Sequence, residues 1–166
     1  AFVERYATVP VPERFHTVVT SAAGHPLDKT YYQTVKGMVA PLDILRPGGD
    51  LVVVSACSEG MGSSEYVAAQ ERLLRSGVEG FWEEIREKPF ADVDEWQTQM
   101  QLKPMRAGKV HLYTTGLSEA DRARTGVRLV ASAEAAVRES VARSGDKRVA
   151  VIPEGPYLVP VYRPAG

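Results

Sequence analysis

The chain has 166 residues, 44% of them apolar, with acids and bases interspersed to a formal net charge of −1. That length suits one domain, since domains most often run to ~100–150 residues and one of this size buries roughly 70% of the surface its unfolded chain exposes. The balanced charge gives no reason to expect nucleic acid or an anionic membrane as partner, and no apolar run approaches the ~18 residues of a membrane span.

The single cysteine, Cys57, cannot close an internal disulfide, which favours a reducing, cytoplasmic compartment. The start, Ala-Phe-Val-Glu-Arg, has neither an initiator Met nor a leader, and is expected to lie inside a longer protein. Pro10 and Pro12 fix φ and bias their neighbours away from helix. Residues 1–14 are therefore expected to be an interdomain linker or docking segment, and residues 15–166 an α/β domain.

Phe15 to Ser21, with β-branched Thr17, Val18, Val19 and Thr20, predicts a buried strand. After a loop over 22–27, Asp28 is placed to cap a helix beginning near Lys29, whose apolar stripe is Val35, Met38, Val39 and Leu42. Pro41 is expected to kink that helix against the carbonyl of Gly37, and 46–49 to end it. The run 51–56 is nearly all apolar, as in a strand covered on both faces. A glycine-containing loop over 57–63 and a helix over 64–74 follow, broken by Gly77 and Gly80, then a short helix over 81–86.

Asp92 or Asp94 can cap a helix carrying Trp96 and Met100 that ends before Gly108. Strands are predicted over 109–115, 127–130 and 149–152. Between them lie a short helix capped by Ser118 and Asp121 and closed by Gly126, and a helix over 132–143 stopped by Gly145. The alternation predicts an α/β, Rossmann-like three-layer sandwich with a mostly parallel sheet. Ligands of such sheets bind beyond the carboxyl ends of the strands, near a switch in strand order. The loops over 22–28 and 57–63 leave strands at that edge.

No G-x-G-x-x-G follows the first strand and no G-x-x-x-x-G-K-[ST] occurs. The loop over 58–63 either presents N–H groups to an anion or is a tight turn that needs glycine torsions. His16, His25 and His111 lack metal-ligand spacing, so no metal site assembles from local sequence. His16 and His111 read as packed strand residues, whereas His25 sits in a strand-exit loop beside Pro26. Tyr32, Gln33 and Lys36 open the first helix. Gln33 and Lys36, three apart, share a face, where an amide and a cation suit a carboxylate or hydroxyl ligand, or else simply face solvent. Trp96 is either core or the wall of a site.

The run Thr20-Ser-Ala-Ala-Gly-His-Pro-Leu-Asp-Lys-Thr-Tyr-Tyr-Gln-Thr-Val-Lys-Gly-Met-Val39 resembles the carboxy-terminal domain of nickel-dependent lactate racemases. The core of the likeness is a Gly-x-Pro-Leu-Asp turn followed by Tyr-Gln-x-x-Lys-Gly. Residues 48–62 are similar to the family's second strand and glycine loop, 94–99 to its Trp-bearing helix and 151–156 to its closing strand.

The resemblance implies the carboxy-terminal domain of a 2-hydroxyacid racemase or epimerase, an isomerase that works by hydride transfer to a nickel-pincer nucleotide (nickel pyridinium-3,5-bisthiocarboxylic acid mononucleotide). The cofactor, its covalent lysine, the nickel-site histidine and two acid–base histidines would belong to an amino-terminal domain, leaving this domain inactive alone. His16, His25 and His111 match none of those histidines. Lys36 and Gln33 match the pair that reaches substrate and cofactor oxygens, and Trp96 matches an aromatic beside the substrate. Tyr32, next to Gln33, would pack against or orient Gln33, and His25 stands where an aromatic such as Tyr is expected in lactate-specific relatives, which bears on substrate choice. The competing expectation is a non-catalytic nucleotide- or metabolite-binding α/β module.

Overall fold

The computed structural model describes residues 6–164; the part of the predicted linker that falls on 1–5, like residues 165–166, lies outside them. In chain order the elements are β1 (Thr8–Val11), β2 (Phe15–Ser21), α1 (Tyr31–Val39), β3 (Leu45–Val54), α2 (Ser64–Glu87), α3 (Glu95–Ala107), β4 (Gly108–Tyr113), α4 (Glu119–Arg124), β5 (Arg128–Leu129), α5 (Ala133–Ser144), β6 (Val149–Ile152) and β7 (Val159–Tyr162). Short 3-10 turns cover Ala40–Asp43 and Gly155–Tyr157. No helix among the described residues is long and apolar enough to cross a membrane.

The five predicted strands form one parallel sheet in the order β5-β4-β3-β2-β6, giving the expected α/β sandwich. β3, β4 and β5 extend from one side of β2 and β6 pairs on its other side, so the order reverses at β2. Alternate residues divide between the two faces of the sheet. Val18, Leu51, Val53, Val110 and Leu112 join Tyr31, Val35 and Met38 of α1 in the main core. On the other face Ser140 of α5 reaches Thr17 at 2.7 Å and donates to Asp50 at 2.6 Å.

Several local expectations give way to tertiary contacts. Thr30, not Asp28, caps α1, accepting from the Gln33 N–H at 3.3 Å, while the Asp28 carboxylate accepts from the Ala56 N–H at 3.1 Å. Pro41 does not kink the helix, because α1 stops at Val39 and Pro41 opens a 3-10 turn. Residues 46–49 belong to β3, which pairs with β2 from Leu45 onward across a register shift. The helices predicted over 64–74 and 81–86 run together in α2, broken where Gly77 takes φ +72°. β1 and β7 form a separate parallel ribbon, Thr8 opposite Val159 and Val11 opposite Tyr162, that no local pattern announced.

Gly37 sets the seating of α1. A Cβ there would lie 2.7 Å from the Ser21 carbonyl oxygen, and one on Gly155 would lie 2.5 Å from the same oxygen. Backbone rather than a flexible side chain fills that space, so a methyl group forces the elements apart. Gly37→Ala is expected to destabilise the fold by about 1–3 kcal/mol, the usual cost of overpacking; an unchanged urea midpoint would show that α1 can shift freely.

At the amino ends of the strands Asp50 is fully buried. His111 Nε2 lies 2.8 Å and His16 Nε2 3.3 Å from its oxygens, with Arg143 and Ser140 completing the shell. Burial pushes this carboxyl up, but the hydrogen bonds from Ser140, His111 and Arg143 and the Arg143 charge outweigh it and leave it below its ordinary value. The contribution is therefore complete above the unfolded value of ~3.9 and lost as the pH falls through the folded one. Asp50→Ala is expected to cost about 3–5 kcal/mol at neutral pH, with the gap from wild type narrowing in acid; urea midpoints at about pH 7 and about pH 3 check this, and a pH-independent gap would contradict it.

Candidate active site

Lys36 and Trp96, two of the predicted residues, line one groove, whose wall begins with the last turn of α1. The orphaned N–H groups of that helix are met by the glycine loop, with Tyr31 N–H donating to the Gly60 carbonyl at 2.9 Å and Tyr32 N–H to the Met61 carbonyl at 3.0 Å. The loop thus turns carbonyls toward α1 and serves as its cap. Ser63 caps α2 in turn, accepting from the Tyr66 N–H at 3.1 Å and donating to Asp94 Oδ2 at 2.6 Å. Asp94 occupies the left-handed region at φ +61°, a torsion Asp tolerates better than most residues, and precedes the first turn of α3.

These contacts bring three predicted side chains together. The Tyr32 and Trp96 rings meet edge to face with centroids 6.0 Å apart, and Lys36 Nζ stands 5.7 Å from the Tyr32 ring centre. Tyr66 supports Tyr32 from beneath, edge-on at 5.2 Å. Burial, followed by the Asp94 carboxylate, raises the Tyr32 hydroxyl above its ordinary value and keeps it protonated at neutral pH. Trp96 is 47% exposed, so its ring is surface wall and not core. Lys36 is exposed and makes no ion pair among the described residues.

Lys36 and Trp96 line a groove of about 290 Å³ with Gln97, Met100, Pro156 and Leu158. Gln33 is half-buried on the same helix and His25 is an exposed loop residue, and neither lines it. Gln97 escaped the sequence reading. It is fully buried, its Nε2 donates to the Tyr32 carbonyl at 2.6 Å, and its Oε1 has no partner. The available signal was the polar make-up of a helix that buries Glu95, Gln97, Thr98 and Gln101. Such a helix buries groups that need partners, and an orphaned one calls for an explanation.

A buried network anchors α3 behind the groove. Gln70 Nε2 donates to the Tyr66 hydroxyl at 2.8 Å and to Gln101 Oε1 at 3.0 Å. Gln101 Nε2 and the Tyr31 hydroxyl both donate to the Thr125 carbonyl, at 2.7 and 2.8 Å. Burial raises the Tyr31 and Tyr66 hydroxyls well above their ordinary values, leaving them as donors within the network.

A parallel α/β sandwich with helices on both faces defines the class: a Rossmann-like domain, here with a lysine- and tryptophan-lined groove beside the last turn of its first sheet-covering helix. The family model for the lactate racemase C-terminal domain matches residues 12–159, and the chain belongs to that family. Lactate racemase from Thermoanaerobacterium thermosaccharolyticum is 37% identical over 65 residues, covering 39% of this chain and 15% of that protein. The solved lactate racemase apoprotein from the same organism superposes with a TM-score of 0.84 at 23% identity, over 96% of this chain and 38% of that one. A Thermotoga maritima protein of known structure superposes with a TM-score of 0.61 at 9% identity, over 98% of this chain and 40% of that one. The chain thus spans well under half the length of these relatives.

The burial difference between neighbouring residues of α3 is testable. Gln97→Ala is expected to cost about 1–3 kcal/mol through the lost buried hydrogen bond, whereas Trp96→Ala should cost about 1 kcal/mol or less. Denaturant unfolding of both variants checks the contrast, and a large loss for Trp96→Ala would make its ring part of the core.

Proposed function

We propose that this domain forms the carboxy-terminal wall of the active site in a 2-hydroxyacid racemase or epimerase, an isomerase of lactate-like substrates, and that it needs an amino-terminal domain for activity. The single observation that carries the reading is the meeting of Lys36 and Trp96 in one groove, with the Tyr32 ring beside both, in a domain of this family. In this reading residues 1–14 lead in from the amino-terminal domain, 8–11 being docked along β7. The parent works in the cytoplasm, in keeping with a lone, buried Cys57.

The residues present fit a nickel-pincer nucleotide held mainly by the amino-terminal domain. The groove offers an ammonium without a carboxylate partner among the described residues, and behind it the buried Gln97 Oε1 lacks a hydrogen bond. When bound, the nucleotide supplies the hydride acceptor through which the two stereoisomers interconvert. Lys36 would reach its oxygens and offset the substrate carboxylate, a charge worth more in a cleft that excludes water. Gln33, one helical turn earlier, adds a donor and an acceptor.

Trp96, held by Tyr32, would exclude water and limit the space beside the substrate carbon. His25, at the strand exit, would contribute to substrate choice. His16 and His111 face Asp50 and leave the acid–base work to histidines of the amino-terminal domain.

In the full-length parent, Lys36→Ala is expected to lower turnover by roughly 10²–10³-fold, as loss of a preorganised charge does, with the unfolding midpoint unchanged. The assay is loss of optical rotation from an enantiopure 2-hydroxy acid by nickel-loaded enzyme. Wild-type turnover would remove Lys36 from the mechanism, and folded, nickel-free protein inert toward every 2-hydroxy acid would favour a non-catalytic binding module.

A further inference from the structure

A second opening of about 560 Å³ lies at the carboxyl ends of the strands and shares no residue with the Lys36 groove. We propose that it is a binding cleft for a hydroxyl-rich, uncharged or cationic ligand of the nucleoside or sugar type, with Asp28 and Glu154 as its acceptors. The cleft sits where the strand order reverses, between the segments that leave β2 and β6, the place at which open parallel sheets take ligands. Its volume falls within the roughly 300–1,000 Å³ of small-molecule sites.

The charges in the lining select the ligand. Asp28 and Glu154 are its only ionisable carboxylates, and it contains no Lys, Arg or His. An anionic group would meet two negative charges and no counter-charge, whereas a hydroxyl or ammonium meets acceptors. Asp28 is already oriented, because Oδ2 accepts from the Ala56 N–H at 3.1 Å while Oδ1 has no hydrogen-bond partner among the described residues. Glu154 stands beyond β6, so the two carboxylates flank the end of β2. Val54, Ala56 and Pro153 supply apolar wall against which a flat or saturated ring packs.

The backbone is held under strain at the same place. Ala23 takes φ +66°, a conformation that costs a non-glycine residue about 1–3 kcal/mol and persists where its surroundings enforce it, commonly at ligand clamps. The enforcement comes from Ser21, whose Oγ accepts from the Ala23 N–H at 2.9 Å and donates to the Pro153 carbonyl. One hydroxyl thus ties the exit of β2 to the exit of β6 and holds the cleft floor. A divalent cation is a poorer occupant, since no group of three or more His, Cys, Asp or Glu ligands gathers among the described residues. Because the two openings share no lining residue, the proposal stands apart from the racemase reading.

The test is titration of the 166-residue chain with adenosine and with ribose, followed by amide NMR shifts and calorimetry. Saturable shifts are expected at Gly24, Ala56 and Glu154 with a dissociation constant of roughly 1 mM or tighter, and adenosine monophosphate should bind about tenfold more weakly. Asp28→Asn and Glu154→Gln should each weaken adenosine about tenfold, while Lys36→Ala leaves it unchanged. Glu154 is exposed, so its variant keeps the test decisive even where Asp28→Asn disturbs folding. No shifts at those amides, equal or tighter binding of the monophosphate, the same shifts from Mg²⁺ alone, wild-type affinity in Glu154→Gln, or a loss in Lys36→Ala would each overturn the proposal.

Discussion

A Cβ on residue 37 would stand 2.7 Å from the Ser21 carbonyl oxygen, and one on residue 155 would stand 2.5 Å from the same atom. Two glycines on elements more than a hundred residues apart therefore converge on one carbonyl at the end of β2. That convergence lets α1 lie close to the sheet and brings the Gly155–Tyr157 turn against it. Lys36 precedes the first of these glycines and Pro156 follows the second, and both line the Lys36 groove. Close packing transmits such a constraint outward, because a dense interior has no slack to absorb an added methyl group. The groove exists because the backbone can approach itself there.

Charge is organised with the same economy. At the amino ends of the strands Asp50 is surrounded by His16, His111, Ser140 and Arg143, so a fully buried carboxylate is matched within the fold. Behind the groove the Gln70, Gln101 and Tyr66 network satisfies most of its own donors and acceptors. Buried side-chain atoms without a hydrogen bond among the described residues include His16 Nε2 and His111 Nδ1 beside Asp50, Gln70 Oε1 in the network and Gln97 Oε1, of which Gln97 alone belongs to the Lys36 groove. The exposed Lys36 ammonium has no ion-pair partner among the described residues, and Asp28 Oδ1 has no hydrogen bond there, so each opening carries a polar group able to meet a ligand.

The strands over 15–21 and 149–152 were readable to the residue, because runs of β-branched side chains between turn residues have few alternatives. The helix over 132–143 and its closure by Gly145 were equally local, and the structure makes Ser132 the cap of α5. The cap of α1 was misplaced by two residues, since Asp28 and Thr30 are both competent and the choice fell to the Ala56 N–H, 28 positions away. The β1–β7 ribbon had no local signal, as its strands are short, proline-bearing and paired across almost the whole chain. In the candidate site, Lys36, Tyr32 and Trp96 were named from motif resemblance, and their mutual contacts were not. Gln97 was overlooked because its burial depends on the crossing of α1 and α3.

The sequence by itself determined the α/β class, the five strands of the sheet and the chemical kinds available at α1, because propensity, periodicity and capping act over a few residues. Tertiary structure alone decided which of those groups meet. It joined Trp96 to Tyr32, left Gln33 and His25 outside the lining of the Lys36 groove, assigned His16 and His111 to Asp50, and opened a separate acidic cleft over the reversal in strand order. The physical reason is range. Hydrophobic periodicity says which face of an element is buried, but only the packing of the assembled sheet and helices determines which polar groups find partners.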